Sequence, residues 1–466
     1  MRLSQYLGRR SLWFDEAALA LNFTDGDLKT VMSPLGHSQA APAGFNLLTL
    51  LMVRIAGISE RSLRFFPLLC GLIAIFVFWR LSRRWLHGWA LLFANYTFAI
   101  ANKLIYFSNE FKPYILDVLL AMTVVLGLTS WWEDGRPRNR LPLLAVTGCV
   151  AVWFSFPVVL VMAGVGSVVL AACWIGRRYA DFWKLIAVVV TWVISFGCQY
   201  VFFSRQVMKA NGEVLTNYWR AYGAFMPLRP WEHPAWFATS FFDYFDRVAG
   251  LRLSFNALQF IFICGLIELV RRKASMRLCV LLAPIAVSML VSGLELYPFK
   301  ERMILFTVPF ALLICGEGVE GLLKWLRPPQ MCIIMVGVAL CIPTAQAFYL
   351  IWHPKKREEV RPLAEYLQHQ ATSQDVVFVL DNNPTFLYYT RVLQLKQTML
   401  PFTEKDYATV LPQITYELQQ GRHCWLVTSH VKNGEQASVL SHLKSVCQLR
   451  AVDQQPEAQL LALDPL

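Results

Sequence analysis

The chain has 466 residues, of which 56% are hydrophobic, 14% are aromatic and only 16% are charged. A water-soluble globular protein needs far fewer apolar residues, so the composition indicates a polytopic membrane protein. The formal net charge of +12 does not indicate a nucleic-acid partner, because the basic residues lie in short loops between apolar runs and form no basic face.

Long apolar runs recur along the chain, each near the length that crosses a hydrocarbon layer of roughly 30 Å. Backbone groups in lipid must find hydrogen bonds within the chain, so the runs are predicted to be helices. Residues 11–64 precede the first run and are predicted to form a large first loop. The predicted spans, about ten in number, are 65–84, 87–106, 114–132, 141–156, 158–175, 185–204, 254–270, 278–294, 303–322 and 331–350.

The basic residues are distributed unequally between the two sides of these spans. Alternate loops, such as those with Arg83 and Arg272, carry most of the Arg and Lys residues. The positive-inside rule places these loops in the cytoplasm. The first loop, the short loop 295–302 and the C-terminal region are then predicted on the extracytoplasmic face of the cell (inner or plasma) membrane. An even number of spans also places the N-terminus outside, although it carries several arginines.

Two regions differ from simple loops. Segment 205–252 combines dense aromatic residues with prolines and charges, which is typical of chain at a membrane interface. An aromatic belt and a surface that grips a sugar or lipid are both open interpretations. In residues 352–466, strand-like runs such as DVVFVL and CWLVTS alternate with helical ones, so this part is predicted to be a small α/β domain after a transmembrane domain over 1–350. It has no Gly-rich phosphate loop, and we assign it no nucleotide.

Asp15 and Glu16 stand side by side in the apolar stretch RSLWFDEAALAL. Neighbouring residues cannot share one face of a regular helix, so the two side chains are predicted to point in different directions and to have different roles. A carboxylate in a partly apolar pocket can accept a proton as a general base. The alternative is structural, with Asp15 capping a helix and Glu16 in its first turn.

A second polar cluster, YFSNEFKPYILD, precedes the third predicted span. Pro113 is expected to start the helix just after Lys112. Lys112 and Tyr114 can bind a phosphate or a sugar hydroxyl, with Glu110 and Asp117 as supporting acids. The alternative is an interfacial anchor in which lysine and tyrosine meet the headgroups, although an acid inside a span, like Asp117, normally faces protein or water.

The third cluster, LELYPFKERMILFTVPF, places Lys300 and Arg302 before a late apolar run. Cations at this depth suit a lipid phosphate, and charges that merely end a helix are the alternative. His37 is a possible metal or phosphate ligand, but a single histidine in a loop is weak evidence for a metal site.

Taken in chain order, SLWFDEA, the HSQAAPAGFNLL region, YFSNEFKPYILDVLLA and LYPFKERMILFTVPF resemble the bacterial glycosyltransferase family 39 and its relatives. These are polytopic GT-C fold enzymes akin to protein O-mannosyltransferases and the aminoarabinose lipid A transferase. The resemblance covers most of residues 11–320. It implies a membrane glycosyltransferase that moves a hexosyl or pentosyl group from a polyprenyl-phosphate carrier to a glycan, lipid or protein acceptor on the extracytoplasmic face.

The resemblance also implies roles for individual residues. Asp15 matches the catalytic aspartate and Glu16 its acidic neighbour, with Asp15 as the general base of an inverting transfer. Lys112 and Arg302 are then candidates for the carrier phosphate, with a divalent metal cation as a further possibility.

The sequence departs from the family in two ways. Phe111 and Lys112 replace the Ala and Arg of the family motif, and lysine lacks the bidentate phosphate geometry of arginine. The family also has a transmembrane helix before its Asp-Glu motif, and none precedes it here, so we expect a first helix to be missing from this chain.

Two other classes of function compete with a transferase. A secondary transporter or lipid flippase would use intramembrane acids such as Asp117 as proton or substrate sites. No internal repeat or matching pair of broken helices supports it, and the polar residues favour one face. A catalytically inactive scaffold that binds partners through its C-terminal region is the third interpretation.

Overall fold

The structure, a computed structural model, describes residues 1–252, 256–381, 383–403, 406–430 and 433–466. Helices dominate up to residue 352, and a small mixed domain follows. The helices of the first part are α1 (Arg2–Leu7), α2 (Phe14–Ala20), α3 (Leu28–Met32), α4 (Ala43–Ala56), α5 (Glu60–Ser82), α6 (Gly88–Ile100), α7 (Asn102–Phe107), α8 (Tyr114–Glu133), α9 (Leu141–Phe154), α10 (Val158–Ile175), α11 (Tyr179–Gln199), α12 (Arg205–Ala221), α13 (Pro234–Phe242), α14 (Ala257–Arg271), α15 (Ser275–Gly293), α16 (Val308–Trp325) and α17 (Pro329–Trp352).

Each of the ten predicted spans has helix at its place in the described residues, although the start of 254–270 lies outside them. Within the described part, seven helices are long and apolar enough to cross a membrane, and Ala43–Ala56 and Gly88–Ile100 are shorter apolar helices. The interpretation as a multi-pass helical membrane protein is confirmed.

One predicted span is not a continuous helix. The run 87–106 breaks at Ala101, whose ψ of 108° ends α6 before α7 begins. The N–H groups of Asn102 and Lys103 then donate to the carbonyls of Gly250 and Ala249, at 3.4 and 3.2 Å. Hydropathy cannot reveal this break, because the hydrogen-bond acceptors lie far along the chain.

Segment 205–252 begins as helix. A π-helical turn, Tyr200–Ser204, joins α11 to α12, so that Tyr179–Ala221 is one helix of 43 residues. At 1.5 Å per residue it is about 65 Å long, roughly twice the ~30 Å of a hydrocarbon layer. Its second half therefore extends past the end of a single span, and Asn211 on it bonds to the carbonyls of Leu35 and Gln39 in the first loop.

The C-terminal part contains a five-stranded sheet in the order β2-β1-β3-β5-β4. The pairs β1–β2 and β1–β3 are parallel, and β3–β5 and β4–β5 are antiparallel. Its elements are α18 (Arg361–Gln370), β1 (Val376–Leu380), α19 (Pro384–Val392), β2 (Thr398–Phe402), α20 (Tyr407–Gln419), β3 (Cys424–Ser429), α21 (Asn433–Leu443), β4 (Gln448–Gln455) and β5 (Ala458–Asp464).

The predicted α/β character of this part is confirmed, but two strands were not predicted. They are β2 and β4, the two edge strands of the sheet. Strand β2 contains Pro401, and β4 is rich in polar residues. Because edge strands tolerate proline and polar side chains, neither has the buried, β-branched pattern that marks β1 and β3.

Candidate active site

Helix α2 presents Asp15 to the centre of a polar cluster. The helix begins at Phe14 after Trp13, and Glu16 rather than Asp15 meets its free N-terminal N–H groups: the Glu16 carboxylate accepts from the Trp13 N–H at 3.4 Å. The alternative interpretation of Asp15 as a helix cap is therefore wrong. Its side chain is free to interact with groups outside the helix.

Two cations hold the Asp15 carboxylate. Arg302 lies 2.9 Å from one oxygen, and the Lys112 ammonium lies 3.9 Å from the other. Burial by itself would raise the pKa of Asp15, but the charges of Lys112, Arg302 and Arg357 hold that pKa below its usual range. The carboxylate is ionised in this arrangement, and its side chain keeps 19% of its surface exposed.

Glu16 has different surroundings from Asp15, as the sequence predicted. It is fully buried, and Arg64 of α5 binds it at 2.8 Å through Nε and at 2.5 Å through a second nitrogen. The Phe111 N–H also donates to it, at 2.6 Å. Burial opposes ionisation of Glu16, but Arg64 lowers its pKa. This carboxylate ties α2, α5 and the loop before α8 together and does not face open space.

Lys112 contacts a residue that the sequence analysis did not single out. Its ammonium donates a hydrogen bond to the side-chain oxygen of Gln39, and the Gln39 side chain is in turn hydrogen-bonded to the Asp15 carboxylate, for which only its amide N–H group can be the donor. Burial lowers the pKa of Lys112, whereas the charge of Asp15 raises it. Gln39 thus spaces the lysine from the aspartate. The only sequence signal for Gln39 is its position two residues after His37 in the first loop.

Arg302 lies between two aromatic rings. Its guanidinium carbon is 5.7 Å from the centroid of Tyr114 and 5.6 Å from that of Trp219 on α12. Such contacts hold a guanidinium group in place while leaving its N–H groups available. Trp219 lies in the aromatic segment 205–252, for which binding of a sugar or lipid was one of the open interpretations. The sequence did not distinguish Trp219 from the other aromatic residues of that segment.

Glu110 is the third acid of the cluster. It is fully buried, and neither of its oxygens has a hydrogen-bond partner in the described part of the chain. Burial and then the negative charge of Glu16 raise its pKa. The three acids therefore differ: Asp15 lies between cations that lower its pKa, Glu16 is bound by Arg64, and Glu110 has no cationic partner among the described residues and a raised pKa.

The structure does not bring all predicted site residues together. Lys300 donates to the carbonyl of Tyr222 and, unlike Arg302, makes no ion pair with Asp15; its role in phosphate binding stays a prediction. A 3₁₀ segment, Glu301–Thr307, turns these two neighbours in different directions. Asp117 lies in the first turn of α8, buried beside Ser155.

The His37 side chain is exposed, and it is the His37 backbone carbonyl that accepts a hydrogen bond from the Gln39 side chain, at 3.2 Å. Within the residues that the structure describes, no group of three or more His, Cys, Asp or Glu side chains could hold a metal ion. Asp15 already has two cationic partners. The donor set therefore does not fit a divalent cation, and we assign no step to one.

The C-terminal part contacts the start of α2 directly. Helix α19 packs against α2, and the Tyr389 hydroxyl accepts from the Leu12 N–H at 2.8 Å while donating to Glu60 at 2.9 Å. The Glu358 carboxylate accepts from the Phe14 N–H at 2.9 Å. These bonds fix the backbone that carries Asp15.

Removal of the Tyr389 hydroxyl is expected to loosen this backbone. Tyr389→Phe leaves the buried Leu12 N–H unpaired, which costs about 1–3 kcal/mol. We expect a lower melting temperature in thermal unfolding. Tyr388→Phe is the matched control, because Tyr388 is equally buried but its hydroxyl has no partner among the described residues. Equal destabilisation by both substitutions would contradict the assigned contact.

The fold and this cluster define a class: a polytopic helical membrane protein with an acidic residue held between two cations. The sequence matches no protein-family model. No curated protein matches it either.

Solved structures match the whole fold. ArnT from Cupriavidus metallidurans in the apo state matches with a TM-score of 0.56 at 13% identity, over 99% of this chain and 96% of that one. The same protein bound to undecaprenyl phosphate matches with a TM-score of 0.55, at the same identity and coverage. An Archaeoglobus fulgidus oligosaccharyltransferase, in complex with Zn and sulfate, matches with a TM-score of 0.56 at 11% identity, over 98% of this chain and 70% of that one. The predicted GT-C fold is confirmed.

Proposed function

We propose that the protein transfers a sugar from a polyprenyl-phosphate carrier to an acceptor on the extracytoplasmic face of the membrane. The observation that carries the proposal is the Asp15 carboxylate between Lys112 and Arg302, at 3.9 and 2.9 Å. It combines a proton acceptor with two phosphate-binding cations. A structure of ArnT, which shares the fold, is bound to undecaprenyl phosphate, and this supports a lipid carrier.

The proposed reaction follows from the charges of Asp15, Lys112, Arg302 and the carrier phosphate. The carrier phosphate attracts Lys112 and Arg302, and this neutralises the charges that keep the pKa of Asp15 low. Asp15 then becomes a stronger base as the donor binds. The acceptor oxygen attacks the anomeric carbon opposite the phosphate, its proton passes to Asp15, and the bond from that carbon to the phosphate oxygen breaks. The carrier phosphate leaves with the electron pair of that bond and is stabilised by the two cations. The configuration at the anomeric carbon is inverted.

The same proposal includes the position of the site. Asp15 lies beside Lys112 and Arg302, and the C-terminal domain contacts the start of α2. The basic residues Arg136 and Arg272 lie in loops between other pairs of helices. By the positive-inside rule, we assign the site and the domain to the outer side of the cell membrane.

A direct assay tests the proposed activity. The membrane-embedded protein is incubated with a panel of polyprenyl-phosphate sugars and candidate acceptors, and release of the carrier phosphate is followed. At least one sugar should be consumed. Substrate flux across proteoliposomes without consumption of any lipid-linked sugar would instead support a transporter and overturn the proposal.

The pH dependence of transfer should show the effect of the neighbouring cations on the pKa of Asp15. Because the positive charge of Lys112 lowers the pKa of Asp15 in the free protein, kcat/KM should fall on the acid side only below the ordinary aspartate range. Lys112→Gln removes one charge, so the pKa of Asp15 rises and the acid limb moves to higher pH. Profiles of kcat/KM measure this, and an unmoved limb in the variant would argue against Asp15 as the base.

A further inference from the structure

A polar cavity lies beside Arg64, and Asp15 is not among the residues that line it. Its volume is about 210 Å³, and it is lined where α1, the start of α5 and the start of α18 meet. Its charged lining consists of five arginines and one acid: Arg9, Arg10, Arg61, Arg64, Arg361 and Glu60. The proposed transfer reaction uses none of this space, so the concentration of positive charge requires another explanation.

Two of the five arginines are neutralised by protein carboxylates. Arg64 binds Glu16, and Arg361 binds Glu60 at 3.3 Å and Glu365 at 2.7 Å. The single acid in the lining is therefore already paired. No remaining carboxylate of the lining is available to the other three arginines.

Those three arginines make no ion pair within the described residues. Arg9 and Arg61 are exposed. Arg10 is only 5% exposed, and its guanidinium donates to the carbonyls of Lys355 and Asn109 while its buried Nε has no partner. Burial and the charge of Arg64 lower the pKa of Arg10. A buried cation without a carboxylate partner is costly, and an anion in the cavity would offset its charge and those of Arg9 and Arg61.

The surface beside the cavity is apolar. Helix α5 begins at Glu60 and is one of the helices able to cross a membrane. One turn and more beyond Arg61, it exposes large apolar side chains at helical spacing: Phe65, Leu69, Leu72 and Phe76. The cationic cavity thus lies at the end of a spanning helix, next to a stripe of exposed apolar side chains. This arrangement matches a ligand with an anionic head and a hydrocarbon tail.

We propose that this cavity binds the phosphate group of an anionic phospholipid, whose chains lie along the exposed stripe of α5. Free phosphate has the same charged group as the lipid head but has no hydrocarbon chains to contact the apolar stripe. The site is separate from the Asp15 cluster and does not depend on the proposed transfer reaction.

The test uses the purified full chain in detergent and native mass spectrometry. The probes are phosphatidylglycerol, phosphatidylcholine and inorganic phosphate, each added alone. The variant Arg9→Gln/Arg61→Gln removes two exposed, unpaired charges, and Arg205→Gln/Lys209→Gln removes two exposed charges from α12 as the matched control. Thermal unfolding confirms that both variants remain folded.

We expect phosphatidylglycerol to bind the parent and control proteins, and to bind Arg9→Gln/Arg61→Gln roughly tenfold more weakly, as expected for lost charge-assisted bonds. If inorganic phosphate binds with the same dependence on these arginines, the cavity recognises the phosphate by itself. If it does not bind, the lipid chains are required. Equal phosphatidylglycerol binding by the parent and the cavity variant, or equal binding of phosphatidylcholine, would overturn the proposal.

Discussion

Replacement of Asp15 by Asn is expected to lower sugar transfer about 10²–10⁴-fold, the usual contribution of a general base. The amide keeps the size of the side chain but cannot accept the acceptor's proton. It also removes the negative charge that competes with a carrier phosphate for Lys112 and Arg302. Affinity for undecaprenyl phosphate should therefore be unchanged or higher. The measurement is release of carrier phosphate, combined with binding of the unglycosylated carrier.

Asp25→Asn is the control for this variant, because Asp25 lies in the same first loop but is exposed. It should retain full transfer. The combination of lost transfer and retained carrier binding separates catalysis from folding. Substantial transfer by Asp15→Asn would remove Asp15 from the mechanism, and full complementation by this variant would favour a scaffold.

Arg64→Met is expected to cause the largest loss of stability, about 3–5 kcal/mol in the free energy of unfolding. Glu16 would keep its burial but lose its cationic partner, and the carbonyls of Arg10 and Ser11 would each lose a hydrogen bond of 2.9 Å. An uncompensated charge in a buried site is far more costly than the absence of the whole pair. Thermal unfolding followed by tryptophan fluorescence measures the effect.

Two further variants isolate the cause of that loss. Arg80→Met changes an exposed arginine of the same helix α5 and should leave stability nearly unchanged. In Glu16→Gln/Arg64→Met the Glu16 charge is removed together with its partner, so the double variant should be more stable than Arg64→Met. If the double variant is as unstable as the single one, the ion pair is not the source of the effect.

The C-terminal domain is part of the environment of the site. Tyr389 and Glu358 accept hydrogen bonds from the backbone N–H groups of Leu12 and Phe14, just before and at the start of α2. Because Asp15 lies within that first turn, the geometry of the proposed base depends on a domain more than 300 residues away in sequence. This gives the domain a structural task close to the proposed chemistry.

The sequence determined the helical membrane architecture and most helix positions, because hydropathy and helix punctuation are local properties. Its motifs singled out Asp15, Glu16 and Lys112 as candidates for the site. It also predicted that the adjacent acids would face different surroundings. It could not show the break at Ala101 or the edge strands, since those depend on partners elsewhere in the chain.

Only the tertiary structure decided how the site is assembled. Arg302 contacts Asp15 while Lys300 bonds to Tyr222, although the two cations are two residues apart, because a 3₁₀ segment turns them differently. Gln39 and Arg64 gain their roles by packing against residues dozens of positions away. Charge pairing depends on distances in space, and hydropathy and motif spacing constrain such distances only between near neighbours in the chain.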